Sequence, residues 1–160
     1  MTPIDKIKAF LSSATDISLG YNEINFLSSE SLEEEQIGYS FDSNGKSLVT
    51  DREGDWKKEW IVIASDQMGD PFLIDTSSSS LTVLSAVHGE GSWEPFVVAE
   101  SLEKFKGIIA ILLRVSRKRS DPVTLERNPI TEKERQTALA EIQAANPRAE
   151  ISFWEVYLEN

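Results

Sequence analysis

Residues 60–105 read WIVIASDQMGDPFLIDTSSSSLTVLSAVHGEGSWEPFVVAESLEKF, and this stretch decides the fold. Three short apolar runs, at 60–64, 71–74 and 81–87, are separated by turn residues. A fourth, at 96–99, leads into a helix start at Ser101. Apolar runs of this length, bounded by Gly, Asp, Pro and Ser, predict strands joined by tight turns. Their near-continuous apolarity predicts strands covered on both faces. Consecutive strands without intervening helices predict an antiparallel or mixed sheet.

Helices gather at the two ends of the chain. Thr2 and Pro3 read as N-cap and first helical position, and Ile4, Ile7, Phe10 and Leu11 form one stripe, so a helix of about ten residues follows. Gly20 breaks the chain, and Ile24 and Phe26 alternate as in a strand. Ser31 with Glu34 predicts a short acidic helix ended by Gly38. A turn at 42–45 lies between candidate strands at 39–41 and 47–50, and 51–58 is a charged loop holding Trp56. Ser101 caps the best helix: Leu102, Phe105, Ile109 and Leu112 share a face that Ile108, Ile111 and Val115 widen, as in a largely buried helix. Asp121-Pro122 stops it, and a loop runs to Pro129. Thr131 and Glu134 box a further helix closed by Asn146-Pro147. Ser152 and Glu155 box a short tail helix with Phe153, Trp154, Tyr157 and Leu158 on one side, although the β-propensity of these residues also allows a strand. The expected fold is α+β, a single domain with a central antiparallel or mixed sheet and helices from both ends packed on it.

Composition excludes several function classes. The 160 residues are 40% apolar and 27% charged, as in an ordinary globular protein. There is no cysteine, which removes disulfides, thiolate zinc sites and cysteine nucleophiles together. The N-terminal residues lack the apolar core of a secretory signal, and the longest apolar run near a spanning segment, 108–113, is too short to cross a bilayer. A cytoplasmic protein without membrane contact is expected.

Motifs of chemistry are sparse. His88, the only histidine, sits in a V-H-G-E-G turn with Glu90 as its one local acid, which reads as a surface residue. Asp66, Asp70 and Asp75 lack the spacing of a calcium loop, and Asp66 and Asp70 flank a turn where Asp bonds its own backbone. Gly89-x-Gly91 lacks the third glycine and helix of a dinucleotide fingerprint. No cofactor, metal or catalytic set is expected. The basic run 114–119 reads as a solvated helix terminus rather than a nucleic-acid patch.

The charge is informative. The net charge is −11, and residues 1–103 hold 19 acids against 6 bases, whereas 104–160 hold 8 against 10. No Lys or Arg occurs between Lys58 and Lys104. Such acidity maintains solubility; it also repels nucleic acid and attracts a basic partner. Trp56 and Trp93 sit in loops beside acids, as interaction hot spots do, or else fold back as lids on the sheet.

A Trp-led strand ending in Ile-Ala, then Gly-Asp-Pro, a strand closing on Ile-Asp and an Ala-Glu-Ser-Leu-x-x-Phe helix entry resemble the SUKH superfamily. This is the family of the yeast Smi/Knr cell-wall-synthesis regulator and of many bacterial immunity proteins. The likeness is strongest over 60–105 and extends to Asn128-Pro129, Asn146-Pro147 and the Phe153-Trp-Glu155 segment. Its matching residues Trp60, Gly69, Pro71, Asp75 and Ser101 look structural. The resemblance implies a SUKH-like α+β domain at 1–120 with a C-terminal helical extension, 121–160, docked on it. It also implies a non-enzymatic protein-binding role, as a bacterial immunity protein that occludes a basic toxin domain such as a nuclease. The alternative is a regulatory scaffold of the Smi/Knr type with no toxin; a small-ligand binder is a third reading. Trp56, Asp66, Asp70, Asp75, Glu90, Trp93 and Glu94 are the expected partner-binding residues, on a monomer or weak dimer.

Overall fold

The computed structural model describes all 160 residues. The chain runs α1 (Pro3–Ser13), β1 (Ile17–Leu19), β2 (Asn22–Phe26), a 3₁₀ turn (Glu34–Gln36), β3 (Trp60–Asp66), β4 (Pro71–Asp75), β5 (Thr82–Ser85) and β6 (Phe96–Ala99). Helices α2 (Leu102–Ser116), α3 (Pro122–Arg127), α4 (Glu132–Ala145) and α5 (Ile151–Tyr157) follow. Six strands form one sheet in sequence order, and every pairing is antiparallel. A meander of this kind needs only turns between strands, which is what the turn residues of 60–105 supply.

Side chains alternate across the sheet, so its two faces build separate cores. Ile63, Phe72, Ile74, Val83 and Val98 face the helices and join Ile7, Phe10, Phe105, Leu112, Ile142 and Trp154 in one core of 29 buried residues. Val62 and Leu73 face the other way and pack under Trp56, with Tyr39, Trp60, Leu84 and Trp93 around them. The first four residues of β4 are therefore all buried, as the unbroken apolar run predicted.

Gln36 attaches the long 27–59 segment to this outer face. Its side-chain amide accepts from the Val62 N–H (2.8 Å) and donates to the Val62 carbonyl (2.9 Å). It thus occupies the place of a neighbouring strand residue where β2 has ended. The acidic helix expected at 31–37 is only the 3₁₀ turn: Ser31 bonds the Glu35 carboxylate rather than capping a helix, and no side chain caps the turn. The segments at 39–41 and 47–50 make isolated bridges, not strands.

Three further expectations are corrected. β1 lies where only a chain break was read. The stretch after Asp121 is α3, since Asp121 accepts from the Thr124 N–H and Pro122 opens the helix at its first position. Helix α5 forms, but Ser152 bonds Glu150 instead of capping it.

The basic run at the end of α2 is not all solvated. Arg119 is 6% exposed and donates to the carbonyls of Asn128 (2.7 Å), Val115 (3.0 Å) and Pro129 (3.2 Å) and to Glu134 (2.9 Å). It ties α2, the 128–129 link and the start of α4 together. Gly20 packs against the same region: its φ of +60° suits glycine, and a Cβ there would lie 2.3 Å from Leu125.

Candidate functional site

The register of the meander sorts the expected contact residues by end of the sheet. Trp60 pairs with Asp75 at one end of β3–β4, and Ser65 pairs with Pro71 at the other. Asp66 and Asp70 therefore lie together at the β3–β4 turn, and Asp75 lies at the far end of β4. Asp75 is engaged locally, accepting from the Ser77 N–H (2.9 Å) and hydroxyl (2.6 Å).

At the β3–β4 turn, Asp66 Oδ1 accepts from the Met68 and Asp70 N–H groups at 2.8 and 2.9 Å, the self-bonded turn that the sequence predicts. Burial holds the Asp66 carboxyl above the usual Asp value, with repulsion from Asp70 adding to it; the backbone donors pull the other way. Asp70 turns toward the β5–β6 loop. Its Oδ1 accepts the His88 N–H (2.9 Å) and meets His88 Nδ1 at 2.6 Å. The acid that His88 uses is thus Asp70, 18 residues upstream, and not the adjacent Glu90. Glu90 and Glu94 are both exposed on the same loop. Tyr39 and Tyr157 are both pushed above the ordinary tyrosine value, first by burial and then by the charges of Asp66 and Asp70.

The two loop tryptophans meet each other. Their ring centroids lie 5.2 Å apart, nearly perpendicular, with Tyr39 5.4 Å from Trp56 and 5.9 Å from Trp93. The Trp93 N–H donates to Gly54 O (2.7 Å), and Trp56 Nε1 donates to Trp60 O (3.3 Å). Trp56 is 1% exposed, so the structure takes it off the surface: it is the lid on Val62 and Leu73, and only the partly exposed Trp93 reaches outward. Beside them lies a groove of ≈ 390 Å³ lined by Tyr39, Lys46, Leu48, Arg52 and Trp93. A second, of ≈ 490 Å³, lies between α1, the Ser-rich loop and the start of α2.

Sequence reasoning missed the apolar side chains beside the acids. Tyr21 in the β1–β2 turn and Met68 in the β3–β4 turn are 71% and 69% exposed. Asn22 and Gln67 lock these turns together: Gln67 Nε2 donates to Asn22 Oδ1 (3.2 Å), and Gln67 Oε1 accepts the Glu23 N–H (2.9 Å). Asn22 also donates to the Val156 carbonyl of α5 (3.2 Å). A large apolar residue in a turn, as in Gly20-Tyr21 and Met68-Gly69, was the available signal.

No group of three metal-ligating side chains converges anywhere in the chain, and no helix is long and apolar enough to cross a membrane. Neither a curated protein nor a solved structure matches this sequence. A family match does cover residues 5–106, and it includes the N-terminal third where the residue pattern carried no visible likeness. With its six-stranded meander, its helical core and that match, the chain belongs to the SMI1 / KNR4 family (SUKH-1).

Proposed function

We propose that this protein is an immunity protein that binds and occludes a basic toxin domain, such as a nuclease, in the cytoplasm of the producing bacterium. The reading starts from family membership, which makes the chain an interaction module of the Smi/Knr type. The observation that carries it further is the run from Glu59 to Glu103 without a single Lys or Arg. It sets Asp66, Asp70, Glu90 and Glu94 about one end of the sheet. A domain that grips nucleic-acid phosphates must be basic, and an acidic face associates with it rapidly and screens its active site. Residues 1–120 form the family domain in this reading, and 121–160 is its helical extension. Binding needs no cofactor and no chemistry from this chain.

The test is association kinetics with the toxin domain encoded beside the gene, comparing the parent with a variant carrying Asp70→Arg and Glu94→Arg. The reversals are expected to slow association about tenfold or more and to flatten its salt dependence. Unchanged kinetics would sink the reading. The alternative, a regulatory scaffold without a toxin, starts from the same family membership. It predicts a housekeeping operon in place of a secreted protein with a variable C-terminal domain.

A further inference from the structure

We propose that the end of the sheet formed by the β1–β2 turn, the β3–β4 turn and the close of α5 is the docking surface for a basic protein partner, with Tyr21 and Met68 as its apolar anchors. The proposal rests on the reading of a basic partner and names the surface that meets it.

Apolar exposure is concentrated here. Eight large apolar side chains are exposed, and four of them belong to this end: Tyr21 (71%), Met68 (69%), Val156 (50%) and Val87 (47%). The Asn22–Gln67 and Asn22–Val156 hydrogen bonds join the first three, and the His88 ring lies 3.6 Å from where a Cβ on Gly69 would stand, which brings Val87 alongside. The Asx turn at Asp66 and the Asp70–His88 contact fix both loops before any partner arrives. A surface already ordered loses little entropy on binding, so its exposed anchors contribute more of their burial to affinity.

Charge selects the partner. The surface is drawn from three stretches, residues 9–45, 59–103 and 149–160, and none of them contains a Lys or Arg. These stretches carry acids instead, among them Glu23, Asp66, Asp70 and Glu90; the bases that come nearest belong to the end of α2, Arg117 and Lys118, beside the Arg119 carbonyl that accepts the Gly20 N–H (2.7 Å). A second copy of this chain would oppose acid to acid, and a nucleic acid would be repelled. A basic protein face with an apolar centre satisfies both features. Of the other four, Leu48 lines the groove that holds Lys46 and Arg52, where such a partner meets like charge.

The experiment uses the full ¹⁵N-labelled chain and two probes: a synthetic peptide alternating lysine and leucine, and the toxin domain named above. The peptide is expected to shift the amides of Tyr21, Asn22, Gln67, Met68 and Val87 selectively. Met68→Ser, which removes the apolar anchor without changing charge, should weaken both probes about tenfold or more, whereas Leu48→Ser should leave them unchanged. Thermal unfolding confirms that both variants fold. Shifts centred on the Leu48 groove, equal effects of the two variants, or self-association through Met68 in sedimentation would overturn the proposal. Toxin binding indifferent to Met68→Ser would remove this surface and leave the immunity reading intact. A toxin domain that never binds, with the peptide still seated here, would do the reverse.

Discussion

Asp66 performs two tasks that oppose each other. Its Oδ1 closes the β3–β4 turn by accepting two backbone N–H groups, and its charge is partly buried beside that of Asp70. Burial, the larger effect, raises its pKa above that of the unfolded chain. The folded state then binds this proton more tightly than the unfolded state, so ionised Asp66 opposes folding at neutral pH. That penalty fades as the pH falls through the folded pKa toward the ordinary Asp value. Asp66→Asn keeps the accepting oxygen and removes the charge. It is expected to raise the thermal midpoint at neutral pH, with an advantage that shrinks to nothing on acidification. A constant difference between the two proteins across that range, or a lower midpoint at pH 7, would show that the carboxylate itself supports the turn. The acids whose pKa values are lowered, among them Glu100 and Glu134, act in the opposite sense; their contribution is present above the ordinary Glu value and is lost below it.

Between elements, side chains finish what the backbone ladder leaves open. Strand β6 has no seventh neighbour, yet its Val97 carbonyl accepts from the Glu150 N–H and its Val98 carbonyl from Trp154 Nε1, both at 2.8 Å. The exposed edge that invites strand addition is thus covered by the start of α5. Gln36 does the same for Val62, and its contribution is measurable. Gln36→Leu preserves bulk but leaves a buried N–H and C=O unpaired, which costs about 1–3 kcal/mol. The urea midpoint should fall accordingly, and 27–59 should lose protection in hydrogen exchange before the sheet does. A midpoint equal to that of the parent would mean that water replaces the amide. These closures explain which elements the sequence foretold. Strands β3 to β6 and helices α1, α2 and α4 announce themselves by apolar period and caps, both local signals. Gln36 of the 3₁₀ turn meets Val62, 26 residues on, and Arg119 reaches carbonyl and carboxylate partners 9 to 15 residues away, so no local pattern carries either; the bridges at 37–56 are single pairs 4 to 7 residues apart with no apolar period to announce them. Helix α3 was legible, since Asp121 and Pro122 fit an N-cap and first position as well as they fit a stop.

At the scale of the whole molecule, the acidic half was readable from charge order alone, but its shape was not. Register separates Asp75 from Asp70, and tertiary packing hides Trp56 while leaving Tyr21 and Met68 in solvent. Neither outcome follows from spacing along the chain. The same charge distribution makes a prediction about the protein without any partner. Sixteen bases face 27 acids, for a net charge of −11. Most ion pairs between Lys or Arg and an acid are largely exposed; only Arg119–Glu134 and Arg148–Glu100 have one partner well buried. Exposed pairs contribute little, whereas repulsion among surplus acids acts over the whole surface and is stronger in the compact state. Raising NaCl from about 0.01 M to 0.15 M shortens the screening length from roughly 30 Å to about 8 Å. Repulsion should weaken more than the pairs do, so the thermal midpoint should rise. Each kcal/mol of relieved repulsion corresponds to roughly 2–4 °C for a chain of this size. Chloride is the salt to use, because sulfate strengthens apolar burial on its own. A midpoint that falls with NaCl would mean that the ion pairs outweigh the surplus, and the acidic face would then be neutralised within the fold rather than held open for a basic partner.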